Sequence, residues 1–258
     1  MKLKYIQILL ATPLLFVLCL LNNSCTSSSK NHQCNSLENL ERGVIKQNNI
    51  KKRTSIISQT YDKHLDKMTV YTGENKFEEI CEYDKNGFLV KKSVWYFGFS
   101  EIDINEYVYD QSGRVSQIIY PNELRKYIVD YKSESDCRKS SMEGYHKGER
   151  IDSIAFSYSE NNKQTTINYL LHQGKKAEVL DTNIYFLDDK GQIIENDTYL
   201  YKYEHDNSGR LKKSESTNKN TSKKVTYVYE YKDGLLVKSF RYENDQLVQI
   251  NEIQYEYY

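Results

Sequence analysis

Tyrosine alternates with polar or charged residues in one segment after another. Tyr199, Tyr201 and Tyr203 share one side of an extended chain, with Leu200, Lys202 and Glu204 on the other. Val225, Tyr227, Tyr229 and Tyr231 repeat the arrangement opposite Thr226, Val228 and Glu230, and Tyr107 and Tyr109 do so opposite Glu106, Val108 and Asp110. Successive side chains of a strand point to opposite faces, so a period of two predicts half-buried β-strands. Little else competes with that pattern. Ser36 to Arg42 fits a short helix and a plain tether equally well.

Glycines punctuate the strands at a near-constant interval. Gly87 to Gly113 and Gly148 to Gly174 are 26 residues apart, and Gly73 to Gly98 and Gly209 to Gly234 are 25 apart. The residues around them recur: Tyr83-Asp84-Lys85-Asn86-Gly87, Tyr109-Asp110-Gln111-Ser112-Gly113, Asp188-Asp189-Lys190-Gly191, Asp206-Asn207-Ser208-Gly209 and Tyr231-Lys232-Asp233-Gly234. An Asp carboxylate accepts from the backbone N–H two residues on and opens a type I turn, and Gly takes the left-handed position that ends it. A hairpin connection with a bulge results. Further turn signals at Pro121-Asn122, Glu160-Asn161-Asn162, Thr217-Asn218-Lys219-Asn220 and Glu243-Asn244-Asp245 fall between the glycines. One period is therefore two strands and two turns. The expected fold is all-β: an antiparallel meander of hairpin repeats with a dozen or more strands, curled into a barrel-like or open spiral sheet.

The repeated Tyr-x-Tyr-Asp-x-x-Gly-Arg-Val form, as at Tyr107 to Val115, resembles the YD (RHS-like) repeat of bacterial envelope and toxin proteins, and a group of uncharacterised lipoproteins built from degenerate copies of it. The matches are clearest over residues 81–120 and 184–242, while 121–183 matches in turn spacing only. The resemblance implies hairpins that coil into a hollow shell used for encapsulation or surface contact. It carries no catalytic residues, and a C-terminal toxin segment is lacking here.

The N-terminus is an address. Lys2 and Lys4 precede an apolar run from Ile6 to Leu21, then come Asn22, Asn23, Ser24 and Cys25. The run is shorter than the roughly 20 residues that span a bilayer and matches the core of a signal peptide. Ser24-Cys25 resembles the lipoprotein signal pattern, in which the cysteine is acylated and becomes the mature N-terminus, although Asn22 and Asn23 stand where that pattern prefers Leu and a small residue. A plain secretory signal cut nearby, or an uncleaved anchor, is the alternative. The expected division is a signal peptide over 1–24, a lipid-anchored tether over 25–52 and one repeat domain over 53–258. Of the remaining cysteines, Cys81 stands where the next repeat has Tyr107, which suits a buried filler. Cys81 and Cys137 could also pair in an oxidising envelope, although their spacing has no signature.

With 36 basic and 36 acidic residues intermixed, the chain lacks the clustered basic surface that nucleic acid requires. His146, His172 and His205 sit beside turns without ligand spacing, and Asp188, Asp189 and Asp206 belong to turns too short for a calcium loop. No metal or other cofactor is expected. Nucleophile elbows, phosphate loops and dinucleotide fingerprints do not occur. The face opposite the tyrosines carries Glu106, Lys202, Glu204 and Glu230, too polar for the lipid side of a transmembrane barrel. The densest aromatic patch, Trp95-Tyr96-Phe97-Gly98-Phe99, lies at a predicted turn and either plugs the core or offers Trp95, Tyr96, Phe97 and Phe99 to a ligand. These features point to a lipid-anchored module of the bacterial cell envelope, at the outer membrane, that presents a tyrosine-rich sheet to a glycan or protein partner without catalysis. The alternative is an envelope hydrolase acting on a polysaccharide through a carboxylate pair that sequence cannot reveal.

Overall fold

The computed structural model describes residues 37–62, 64–70, 78–95, 102–133, 138–159, 162–171, 178–188 and 192–258. Among the described residues one α-helix, α1 (Leu37–Gln47), precedes seventeen strand segments, β1 (Ile50–Asp62) to β17 (Gln246–Tyr257), every adjacent pair of which runs antiparallel. β1 pairs with β17 along one edge, from Ile50↔Tyr257 to Thr60↔Gln249. Its other edge pairs with β2 (Lys67–Val70) near its C-terminus and with β3 (Glu78–Tyr83) nearer its N-terminus, so β2 and β3 form one stave. Each later strand pairs with the next in sequence, and the result is a closed barrel of 16 staves. Closure excludes the open spiral. A sheet closed on itself has no edge along the β1–β17 seam to recruit foreign strands.

The Asp-Gly turns form as their chemistry dictates. Asp84, Asp110 and Asp206 accept from the backbone N–H two residues on and again from the residue after glycine, at 2.8–3.0 Å. Lys232-Asp233-Gly234 differs from its expected type. Asp233 and Gly234 both have positive φ, 52° and 83°, and Lys232 pairs directly with Leu235, so the loop is a two-residue turn of the primed kind. Lys147-Gly148 and Asn244-Asp245 turn in the same way.

The turns holding Asp84, Asp110, Asp206 and Asp233 lie at one rim, and α1 packs there. Ile45 of the helix is buried among Ile50, Cys81 and Tyr83, against Leu89, Leu235 and Tyr255. The helix rides so closely on the β3–β4 turn that a Cβ at Gly87 would stand 2.5 Å from the Arg42 carbonyl, and φ there is +81°. Both facts require glycine. Asn49, at φ 52°, ends the helix in the left-handed conformation. Residues 37–52, which the sequence reading gave to a tether, are thus helix and the start of β1. Ile45 and Ile50, which would have been solvated in a tether, are here covered by the barrel rim, which is the physical reason this segment joins the barrel. Cys25, Cys34 and Cys137 fall outside the described residues.

Candidate binding wall inside the barrel

The strand registers place Tyr199, Tyr201 and Tyr203 of β13 (Tyr199–His205), Tyr227, Tyr229 and Tyr231 of β15 (Lys224–Lys232) and Tyr255 of β17 on the inward face. Leu200, Lys202 and Glu204 point outward and are exposed. Closure therefore turns the tyrosine rows in upon the barrel's own interior and away from an outside partner. The outward face joins neighbouring strands by ion pairs, among them Lys213–Glu204 at 3.2 Å, Lys91–Glu82 at 3.6 Å and Lys238–Glu252 at 3.6 Å. Aliphatic residues such as Ile80, Ile104 and Ile128 lie between these pairs.

The strands alternate between large and small inward residues. Between the tyrosines of β13 and β15, β14 (Leu211–Asn218) contributes Ser214 and Ser216, which are 1% and 2% exposed, and β16 (Leu235–Glu243) contributes Ser239 opposite Tyr229. Ser239 accepts from Asn251 of β17 at 3.0 Å, and Ser214 is covered by a ring that leans from β15. The hydroxyls show the lean. Tyr203 Oη donates to the Ile193 carbonyl at 3.0 Å, Tyr231 Oη to Leu211 at 3.0 Å and Tyr255 Oη to Leu236 at 2.8 Å, and Tyr229 Oη lies 3.1 Å from Ser214 Oγ. In β5 (Ile102–Tyr109) and β7 (Arg125–Tyr131), Tyr109 and Tyr131 bind the Leu89 and Val115 carbonyls in the same way. Every acceptor is on the preceding strand, and each carbonyl belongs to the residue two after the turn glycine. The rings therefore lie along the wall. The residue just after the glycine covers the same ring: Arg114 stands 4.3 Å over Tyr131, Arg210 4.9 Å over Tyr231, and Phe88 packs 4.6 Å from Tyr109. The spacing of the YD-like repeat carried this tether, but which carbonyl each phenol reaches depends on the neighbouring hairpin and could not be read locally.

Burial of the phenols pushes the Tyr201, Tyr231 and Tyr255 hydroxyls up to about 12, and those of Tyr203 and Tyr229 higher still. Asp103 and Asp181 face inward at the strand ends away from α1 and are exposed.

Two charged clusters interrupt the wall. Near the α1 rim, Lys92 Nζ lies 2.7 Å from Glu79, Arg53 lies 3.5 Å from Glu79 and also binds Glu41 of the helix, and the Arg53 guanidinium donates to Cys81 Sγ at 3.4 Å. Burial alone would push the Glu79 carboxyl up, but Lys92 and Arg53 outweigh it and hold the group below its usual range. Burial pushes the Cys81 thiol up, so it is a packed thiol and not an activated nucleophile. Toward the opposite rim, Arg125 binds both Tyr127 Oη and Asp152, and Tyr127 Oη donates to Asp152 at 3.1 Å. Gly144, between Tyr127 and Asp152 in the register, makes room for this group, since a Cβ there would overlap the Asp152 carboxylate. Neither cluster was visible in sequence, because Arg125 and Asp152 are 27 residues apart and Arg53 and Cys81 are 28 apart.

Of the aromatic patch, Trp95 ends β4 (Leu89–Trp95) half-buried on the outward face, opposite Glu78, away from the tyrosine wall. Tyr96, Phe97 and Phe99 lie outside the described residues. Among the described residues, no three His, Cys, Asp or Glu side chains converge as a metal cage.

Neither a protein-family model nor a curated protein matches the chain. Among solved structures, a porin-like protein from Bacteroides uniformis aligns over 81% of this chain and 97% of its own, at 10% identity and a TM-score of 0.40. TcdB2-TccC3 without its hypervariable C-terminal region aligns over 68% of this chain and 12% of its own, at 13% identity and a TM-score of 0.25. The periplasmic gluconolactonase PpgL of Pseudomonas aeruginosa covers 73% of this chain at 8% identity and a TM-score of 0.15.

Proposed function

We propose that the chain is a non-catalytic, lipid-anchored module of the bacterial cell envelope, built from YD-type hairpin repeats, whose inner tyrosine wall holds a glycan. The observation that carries the reading is the lean of the phenols. A ring that lies along the wall keeps one broad face for a ligand where no side chain covers it in the way that Phe88, Arg114 and Arg210 cover Tyr109, Tyr131 and Tyr231. Rings of this kind are rigid, amphipathic platforms for the C–H faces of sugars. Tyr227 and Tyr229 stack nearly parallel, with centroids 6.5 Å apart and planes at 19°, and Tyr199 and Tyr201 stand 6.1 Å apart, so the platform repeats along the strand. Of the inward carboxylates, Glu79 is paired with Lys92 and Arg53 and Asp152 with Arg125, an arrangement suited to structural anions.

Calorimetric titration of the full chain with soluble oligosaccharides tests the wall. Binding that is lost in Tyr227→Ala and Tyr201→Ala but kept in Trp95→Ala is the expected result, and binding that survives both tyrosine changes sinks it. Incorporation of labelled palmitate, abolished by Cys25→Ser, tests the anchor separately.

A further inference from the structure

The barrel wall has one short stave. β11 (Glu178–Leu187) pairs with β10 (Lys163–Leu170) over its whole length, but β12 (Ile193–Asn196) covers only its last residues, from Tyr185 to Leu187. β12 in turn meets β13 through a single ladder pair, Glu195↔Leu200. Among the described residues, no strand lies against residues 179–184 on the β12 side. The backbone there offers alternate N–H and C=O groups to the outside, the property that makes a sheet edge a template for another strand.

Side chains on this edge reinforce it. Val179 and Leu180 are 58% and 60% exposed, the latter at a bulge, and Phe186, Ile194 and Leu200 extend the exposed apolar surface over the outward face of β11–β13. On the inward side the rim of the gap is acidic. Asp181 and Asp197 are both exposed, and beyond the effect of burial both carboxylates raise the Tyr185 hydroxyl, so they flank the same opening. Described residues along this edge include no lysine, arginine or proline, the residues that usually protect a free edge.

We infer that residues 179–184 of β11 accept an extended peptide that continues the stave begun by β12, with aliphatic side chains on the outward face and basic side chains toward Asp181 and Asp197. Backbone ladder bonds supply affinity without regard to sequence, and the acidic rim selects the charge. This goes beyond the glycan reading and stands independently of it.

The test uses the full chain in detergent micelles and a fluorescent peptide of alternating lysine and valine, with a glutamate–valine peptide as control. Anisotropy is expected to show binding of the lysine peptide alone, with slowed amide exchange confined to residues 179–184. Asp181→Lys with Asp197→Lys is expected to weaken the lysine peptide about tenfold, from two cross-strand charge pairs, and to admit the glutamate peptide. Both aspartates are exposed, so the exchanges leave the packed wall intact. Equal binding of both peptides, protection elsewhere in the barrel, or protection of residues 179–184 that grows with protein concentration in the absence of peptide overturns the inference, the last because a second copy then fills the edge.

Discussion

Two sectors of the inner wall solve the same packing problem by different means. From β6 to β9 the inward side chains Ile118, Val129, Met142 and Phe156 touch from strand to strand and form a continuous apolar cluster, with Tyr107, Tyr120, Tyr127, Ile154 and Tyr158 packed on it. From β12 to β16 the same positions hold small polar residues: Ser214 and Ser216 are almost fully buried, Ser214 against the leaning Tyr229, and Ser239 accepts from Asn251 of β17 at 3.0 Å. The first sector is stabilised by removing hydrocarbon from water. The second relies on hydrogen bonds in place of aliphatic contact, with Tyr203, Tyr229 and Tyr231 each reaching a group on the preceding strand, as Tyr131 does in the first. Polar residues can therefore line the inside of a barrel without leaving it unpacked, provided large and small residues alternate between strands.

Alkaline pH should have the largest effect, and it falls on buried phenols of both sectors, since burial also pushes up the Tyr120 and Tyr127 hydroxyls of the first. Burial raises the Tyr201, Tyr231 and Tyr255 hydroxyls to about 12 from an ordinary value of 10.0, so folding favours the protonated phenol. That stability is fully present below about pH 10 and is lost as pH rises through about 12. Urea unfolding between those limits should show a steep collective loss, and the phenolate absorbance of the folded protein should titrate late. A midpoint at the value of free tyrosine would contradict the picture of a desolvated wall.

In the apolar sector, Phe156→Ala should cost about 3–5 kcal/mol at any pH where the protein folds, as a cavity with no titrating group. Ser214→Leu tests the other sector by crowding. Ser214 lies under Tyr229, so the added carbons should displace the ring and cost about 1–3 kcal/mol, and a neutral outcome would mean the phenol does not lean over β14. The smallest effect belongs to Tyr203→Phe, which removes one hydrogen bond to the Ile193 carbonyl and should cost about 0.5–1.5 kcal/mol by equilibrium unfolding.

Much of the hairpin frame was legible because its causes are local. Asp84, Asp110 and Asp206 bend the backbone with their own carboxylates, and period-two tyrosines announce strands wherever they occur. Cys81 was readable as a filler because it occupies the repeat position that Tyr107 holds in the next unit, and it is buried on the inward face. The inward direction of the tyrosines was not readable. Alternation shows that two faces differ, whereas which face is enclosed depends on β1 meeting β17, a pairing between residues about two hundred positions apart. Strand pairing likewise hid the Arg53–Glu79–Lys92 group, whose members sit on β1, β3 and β4. α1 was half legible: Ser36 to Arg42 offered helix and tether equally, and the difference was made by Ile45, whose burial partners Tyr83 and Leu235 lie on distant strands.

The zipped seam between β1 and β17 also bears on how such a molecule changes over generations. A tandem array ordinarily grows by copying a unit at either tip, since each unit touches only its neighbours. Here the first and last staves hold each other, so one duplicated hairpin would widen the circumference and force the opening and closing staves into a new alignment. The copy number is set by geometry, and divergence is confined to the loops and to the units already present.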